Sequence, residues 1–376
     1  MIPSQRSHLH VAATTHPGMS GKNNEDNYAV SAHRLSSSDS TPSVLAVLAD
    51  GVGGHLAGEV ASEIATESIS KFILDSDATN PTEILEDAFI QANLRVASQS
   101  DNDDQRLGMG STCACVWVIG DCIYTASVGD SRIYLIRADE IKQITTDHTW
   151  VQEAIDHGII KPEQARNHPR AHVIRRYLGS KKPVVPDFRF RLSPEETDEQ
   201  AVANQGMKLV PGDQFLLCSD GLTDLVDDQE ILDAIQQQKQ EQAIHSLVDL
   251  ANARGGHDNI TIITLKVPLT KEEVKLNVKP VKSSRFKISW QVYLAISIFI
   301  LITTALTVIL YLYASRTPPI TTPTATYMNE ILTPEEQLTT ETPQPSPTTS
   351  PTPTTTATSI LETYTPWPTN TQTPEP

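Results

Sequence analysis

The chain is short of cysteine, of positive charge and of the usual nucleophile motifs, and each shortage removes a class of function. Its four cysteines, Cys113, Cys115, Cys122 and Cys218, stand in apolar runs with no CxxC pair and no neighbouring histidine. That excludes a zinc ribbon and reads as buried free thiols in a reducing compartment. A net charge of −17 excludes nucleic acid as a partner, because binders of phosphate backbones present clustered Lys and Arg. The same charge suits a protein that collects divalent cations. No HCx5R or GxSxG motif supplies a nucleophilic cysteine or serine. The first residues, with Pro3, Arg6 and His8, lack the apolar core of a signal peptide, so the front of the chain is expected to stay where it is made.

What is present is unevenly distributed. Residues 1–268 mix apolar, charged and turn residues as a folded domain does, and a segment of that length buries a large single core. A basic linker follows at 269–287, with Lys271, Lys275, Lys279, Lys282, Arg285 and Lys287. From Ile288 to Tyr313 no residue is charged, and such a run, at about 1.5 Å per helical residue, spans the roughly 30 Å hydrocarbon layer of a bilayer. Trp290 and Tyr293 at one end, with Tyr311 and Tyr313 at the other, occupy interfacial positions. Beyond it only Arg316 is basic, so the positive-inside rule places the front domain in the cytoplasm and residues 314–376 outside a cell membrane crossed once. That last segment, rich in Thr and Pro, cannot bury enough apolar surface to fold and reads as a disordered extracytoplasmic stalk.

Within the front domain, runs rich in β-branched residues predict strands over Tyr28–Ala32, Val44–Ala49, Thr112–Ile119, Cys122–Val128, Arg132–Arg137, Gln214–Cys218 and Ile260–Val267. Gly120-Asp121 and Gly129-Asp130-Ser131 separate three of these and predict an antiparallel meander. Amphipathic periodicity predicts helices over Ala57–Leu74, Pro81–Gln99, Asp227–Gln236 and Gln240–Ala253. The result is an α+β class with helices outside an antiparallel core. Residues 145–199 are polar, interrupt the strands and add none of their own, as a functional lid or a disordered loop does.

Carboxylates recur at strand ends and in tight loops: Glu25-Asp26 in KNNEDN, Asp50 in LADGVGGH, Asp220 in CSDGL and Asp258 in GGHDNIT. Each alone is an ordinary turn signal. After Asp50-Gly51 and Asp220-Gly221, however, helical patterns follow instead of partner strands, so these are not simple hairpin turns. Oxygen donors without supporting His or Cys favour Mg²⁺ or Mn²⁺ over zinc. A carboxylate metal site and a set of plain turns both remain open on residue types alone.

These segments, together with GMGST at Gly108–Thr112, VGDSR at Val128–Arg132 and Leu225, resemble in order and spacing the bacterial branch of the protein phosphatase 2C-like (PPM) metal-dependent serine/threonine phosphatases. The resemblance covers residues 8–267. It implies a four-layer α-β-β-α sandwich of two antiparallel sheets flanked by helices, with metals at one end. It also implies that Asp50 bridges two Mn²⁺ or Mg²⁺ ions, with the Gly51 carbonyl on one of them. Asp220 and Asp258 would hold the other, completed by Glu25 or Asp26. Asp130 would share a third, weaker ion with Asp220, although a hairpin turn explains Asp130 equally well. The implied catalytic residues are therefore Asp50, Asp220 and Asp258. The implied reaction is hydrolysis of phosphoserine and phosphothreonine in proteins by a water that two metals activate, with serine/threonine kinases as natural opponents.

Lys22 stands where the family commonly grips substrate phosphate with arginine, and supplies a point charge in place of a bidentate fork. Val52 occupies the position of the histidine that animal members offer as general acid. His55 is a candidate for that role, with local packing as the alternative. The 145–199 insertion resembles the flap beside the family's active site. Its Asp147-His148 pair matches a family dipeptide, while the residue types themselves read as a helix N-cap and a solvated imidazole.

Overall fold

The computed structural model describes residues 1–53, 57–102, 106–166 and 168–269. His55, the linker from residue 270 onward, the 288–313 span and the 314–376 stalk lie outside them. Among the described residues no helix is long and apolar enough to cross a membrane.

Two antiparallel sheets carry the domain. The first contains β1 (Ile2–Pro3), β3 (Asp26–Arg34), β4 (Pro42–Val52), β6 (Cys113–Ile119), β7 (Cys122–Val128) and β10 (Met207–Lys208) in that spatial order, with β5 (Gly110–Ser111) paired to the end of β4. The second runs β2 (His10–His16), β12 (Ile260–Lys266), β11 (Gln214–Cys218), β8 (Arg132–Arg137) and β9 (Glu140–Gln143). Helices α1 (Ala57–Asp75) and α2 (Pro81–Asp101) cover the first sheet, and α6 (Asp228–Gln237) and α7 (Gln240–Ala253) the second.

The alternation of side chains along a strand explains why the central strands are apolar throughout. In β4, Val44, Ala46 and Leu48 point between the sheets, where they meet Val116, Ile133, Phe215 and Ile263. Their neighbours Leu45, Val47 and Ala49 point the other way, into the layer under α1 and α2. A sheet covered on both faces has no polar side, so Cys113 and Cys115 in the first sheet and Cys218 in the second are buried as small hydrophobes. Cys122 is half-buried. Trp117, fully buried, satisfies its indole N–H on Ser43 Oγ at 2.9 Å. Helix α1 presents Ala57, Ala61 and Ala65 at helical spacing, which lets its backbone lie close to β4.

The predicted meander is half right. Strands β6 and β7 form the expected hairpin, but β8 pairs with β11 and β9 in the other sheet. Gly129-Asp130-Ser131 therefore carries the chain from one sheet to the other instead of reversing it. Gly129 makes that corner with φ of 104°, and a Cβ there would stand 2.5 Å from Thr112 Cβ, so only glycine fits.

Among its described residues the 145–199 insertion adds no strand, as expected. It holds α3 (Trp150–Asp156), a 3-10 turn at Pro162–Gln164 and the start of α4 (Asp198–Ala203). Isolated bridges Ser111↔Leu178 and Ser127↔Asp187 fasten it to the first sheet. Two expectations are corrected here. The N-cap of α3 is Thr149, whose side chain accepts from Gln152 N–H, because Asp147 is committed to Arg132, with Nη2 to Oδ2 at 2.7 Å. His148 is buried, not solvated, because the insertion folds over it.

Candidate functional site

The acidic segments converge at one end of the sandwich because the strands that carry them end there. Asp26 opens β3, and in the β3–β4 ladder it sits directly opposite Asp50 near the end of β4. Like charges in that relationship repel. Across the interior, Asp220 follows β11 and begins the one-turn helix α5 (Asp220–Thr223), and Asp258 precedes β12. Ser219 ties the two sheets together: its Oγ donates to Asp26 Oδ2 at 2.8 Å and accepts from Thr261 N–H at 3.0 Å.

Close backbone approach fixes the loops. A Cβ on Gly51 would stand 2.1 Å from Gly58 O, and one on Gly221 would stand 2.0 Å from Asn259 O. Glycine at these two positions lets α1 and the 258–259 segment press against the strand ends. Asn259 completes the frame. Its Oδ1 accepts from Glu25 N–H at 2.7 Å, and its Nδ2 donates to the carbonyls of Pro17 and Asn23, both at 3.1 Å. Glu25 is held above α1, where Ser62 Oγ donates to its carbonyl at 2.6 Å. The Gly51 amide donates to the same carbonyl at 3.1 Å. Thr112 Oγ1 accepts from Asp50 N–H at 3.1 Å and bonds Ser131 Oγ at 2.7 Å, which links β4 to the corner bearing Asp130.

The electrostatics of this end are those of uncompensated negative charge. Burial pushes Asp50 well above the usual carboxylate range, and the charges of Asp26, Asp220, Asp130 and Asp258 add to it. Asp220 is raised for the same reasons, burial first and then Asp130, Asp224, Asp258 and Asp26. Burial lifts Asp130 to about 7, with Asp147 adding and Arg132 opposing. Asp26 rises to about 6, again chiefly through burial. Glu25 is raised by burial and by Asp258, with Lys22 pulling the other way. Lys22 itself is exposed on the loop before β3. Among the described residues, Asp26, Asp130 and Asp220 each keep a buried Oδ1 without a hydrogen-bond partner. Buried oxygens left unpaired cost free energy unless something fills them. Carboxylates that outnumber the cations beside them, Lys22 and Arg132, and keep buried oxygens unpartnered among the described residues, fit hard divalent cations such as Mg²⁺ or Mn²⁺.

The structure thus brings Glu25, Asp26, Asp50, Gly51, Asp130, Asp220 and Asp258 to one place, with Lys22 on the same loop as Glu25. His55 falls outside the described residues. Sequence reasoning missed Asn259, Ser219 and Thr112, which hold the carboxylates, and Asp224, which follows Asp220 by one helical turn. The Asp220–Asp224 spacing was the available signal, since residues four apart share a helix face.

Comparison with known proteins decides what this arrangement belongs to. The family model described as protein phosphatase 2C matches residues 16–154 and 203–260. The chain belongs to the protein phosphatase 2C family of serine/threonine phosphatases. It is 35% identical over 259 residues to the serine/threonine protein phosphatase PstP of Mycobacterium tuberculosis, an alignment covering 69% of this chain and 45% of PstP. The chain thus matches less than half the length of that relative. It is 32% identical over 269 residues to the serine/threonine phosphatase stp of Listeria monocytogenes, covering 70% of this chain and 98% of stp. Among solved structures, the PstP catalytic domain in complex with two manganese ions superposes with a TM-score of 0.56 at 33% identity, covering 69% of this chain and 97% of that one. The family model passes over residues 155–202, most of the insertion.

Proposed function

We propose that this chain is a metal-dependent protein phosphatase that hydrolyses phosphoserine and phosphothreonine in proteins, opposing serine/threonine kinases. It is tethered to a membrane by residues 288–313, with its catalytic domain on the cytoplasmic side. The observation that carries the catalytic reading is the direct opposition of Asp26 and Asp50 across β3 and β4 beside the orphaned oxygen of Asp220. Divalent cations held between these carboxylates would offset their mutual repulsion.

In this reading Asp50 and the Gly51 carbonyl, Asp220, Asp258 and Glu25 or Asp26 would hold two Mg²⁺ or Mn²⁺ ions, and Asp130 would share a third with Asp220. Bound divalent ions supply Lewis acidity and a water acidified enough to attack phosphorus near neutral pH. The chain's own residues do the rest. Asn259 and Ser219 hold the carboxylates in register, so little reorganisation accompanies binding. Lys22, exposed at the rim, offers a point charge to the substrate phosphate. His55 remains the candidate proton donor to the departing serine or threonine oxygen.

The test uses the full chain in detergent with a phosphothreonine peptide and Mn²⁺. Turnover should vanish with EDTA and fall about 100-fold or more in Asp50→Asn and Asp220→Asn, the scale of losing an electrostatic anchor for the transition state. Turnover in EDTA, or wild-type rates in either variant, would end this reading. For the tether, protease added to sealed cells should remove an epitope placed in residues 314–376, and its survival would count against an outside tail.

A further inference from the structure

We propose that His172 and Asp224, with His257 beside them, form a second cation site that takes a transition metal of the zinc class and fastens the 145–199 insertion to the acidic end of the sandwich. His172 lies in the insertion, and Asp224 caps α5 one turn after Asp220. His172 Nδ1 is 3.3 Å from Asp224 Oδ2, and His257 Nε2 approaches the same oxygen at 3.7 Å. One ligand atom each from His172, Asp220 and Asp224 lie within 4.8 Å of one another. Asp220 also contributes a buried oxygen that has no partner among the described residues.

The donor chemistry separates this site from the carboxylate cluster. Imidazole nitrogen with carboxylate oxygen suits Zn²⁺, Co²⁺ or Ni²⁺, whereas Mg²⁺ takes oxygen alone. The approach is built into the protein. Arg166, also in the insertion, pairs with Asp227 and donates to the Asp224 carbonyl at 3.2 Å, so His172 is delivered to Asp224 without help from a metal. A tetrahedral ion placed there would pin the insertion to α5 and draw on Asp220. Because Asp220 is one of the residues proposed above for the Mg²⁺ or Mn²⁺ centre, filling this site would compete with that centre. The competition rests on that reading, while the site itself rests on its side chains, and the primary readout is therefore binding.

Zinc affinity is measured on the full chain by chelator competition in excess Mg²⁺, for the wild type, His172→Ala and His245→Ala. His245 is an exposed histidine on α7 and serves as control. Loss of even an outer partner of a metal ligand costs about 10–100-fold in affinity, so His172→Ala, which removes a ligand outright, should weaken zinc by about tenfold or more while His245→Ala leaves it unchanged. Zinc should also slow tryptic cleavage at the exposed Arg170 and Arg175 in the wild type, and not in His172→Ala. Equal zinc affinity in the wild type and His172→Ala would overturn the site, as would equal tryptic protection. Mn²⁺-dependent turnover of the wild type reads the phosphatase proposal separately: failure there with the zinc difference intact would leave this site standing.

Discussion

Gly129 and His148 hold each other twice: the Gly129 amide donates to Nδ1 of His148 at 2.9 Å, and the His148 amide donates to the Gly129 carbonyl at 2.9 Å. With Nδ1 accepting, the ring proton sits on Nε2 and faces Asp187 Oδ2 at 3.1 Å. Burial would raise Asp187, but hydrogen bonds from His148 and Arg189 outweigh it and hold this carboxyl well below its usual range. The backbone carbonyl of His148 accepts from Arg175 N–H at 2.7 Å. One imidazole thereby joins the corner bearing Asp130 to the root of the insertion.

Replacing His148 with alanine should leave the Gly129 amide and Asp187 short of a partner in a dry place. A loss of about 1–3 kcal/mol is expected for a buried group stripped of its partner. Chemical denaturation with Mg²⁺ present checks it, and His148→Gln, which can rebuild part of the bonding, should recover part of the loss.

Gly221→Ala pushes a methyl to 2.0 Å from the Asn259 carbonyl. Backbone must move, and overpacking of this kind costs about 1–3 kcal/mol or more. Thermal unfolding should fall by several degrees, at roughly 2–4 °C per kcal/mol for a domain of this size. Mn²⁺ binding should weaken in the same variant, because Asp220 and Asp258 flank the displaced segment.

Stability without divalent ions should decline as pH rises. Asp26 and Asp130 have folded values raised to about 6 and about 7, above the ordinary 3.8. Between those limits the folded state holds more protons than the unfolded, so the pH derivative of unfolding free energy is negative. The contribution of these two groups is fully present below about 3.8 and is lost as pH passes through 6 to 7. Melting temperatures in EDTA should show that decline over and above the background of other groups. Excess Mg²⁺ should flatten it, since a bound cation favours the ionised carboxylates.

Lys22 is the exposed cation on the loop before Glu25. Lys22→Ala should raise KM for a phosphothreonine peptide by more than it lowers kcat, and Lys22→Arg, with a forked guanidinium, should lower KM below the wild type. Steady-state kinetics at fixed Mn²⁺ distinguishes the two.

How far the sequence carried depends on where each residue's environment comes from. Strands β7, β8 and β11 coincide with their apolar runs, because both of their faces are buried and the pattern is local. Strand β2, HVAATTH, went unread: it is an edge strand, mostly half-exposed, built from Ala, Thr and His. Strand β9, EIKQ, is a polar edge of the kind that resists unwanted pairing. The Gly129-Asp130-Ser131 corner looked like a hairpin because its turn chemistry is local, while the choice of sheet for β8 is not. His148 looked solvated for a similar reason, since what buries it is a segment up to 40 residues away along the chain, including Asp187. The carboxylates at strand ends were visible as residues. Asp26 meets Asp50 through the β3–β4 register, and both meet Asp220 and Asp258 only through sheet docking, which no single motif encodes.

The acidic end belongs to neither sheet. Asp26 and Asp50 come from one, Asp220 and Asp258 from the other, and the hydroxyl of Ser219 is the stitch between them. The first sheet alone already sets Asp26 against Asp50, and closure of the sandwich adds Asp220 and Asp258 to them and buries the group. The closed sandwich thereby gathers more negative charge in one place than either sheet carries, and any ion bound there would be a clasp between the two.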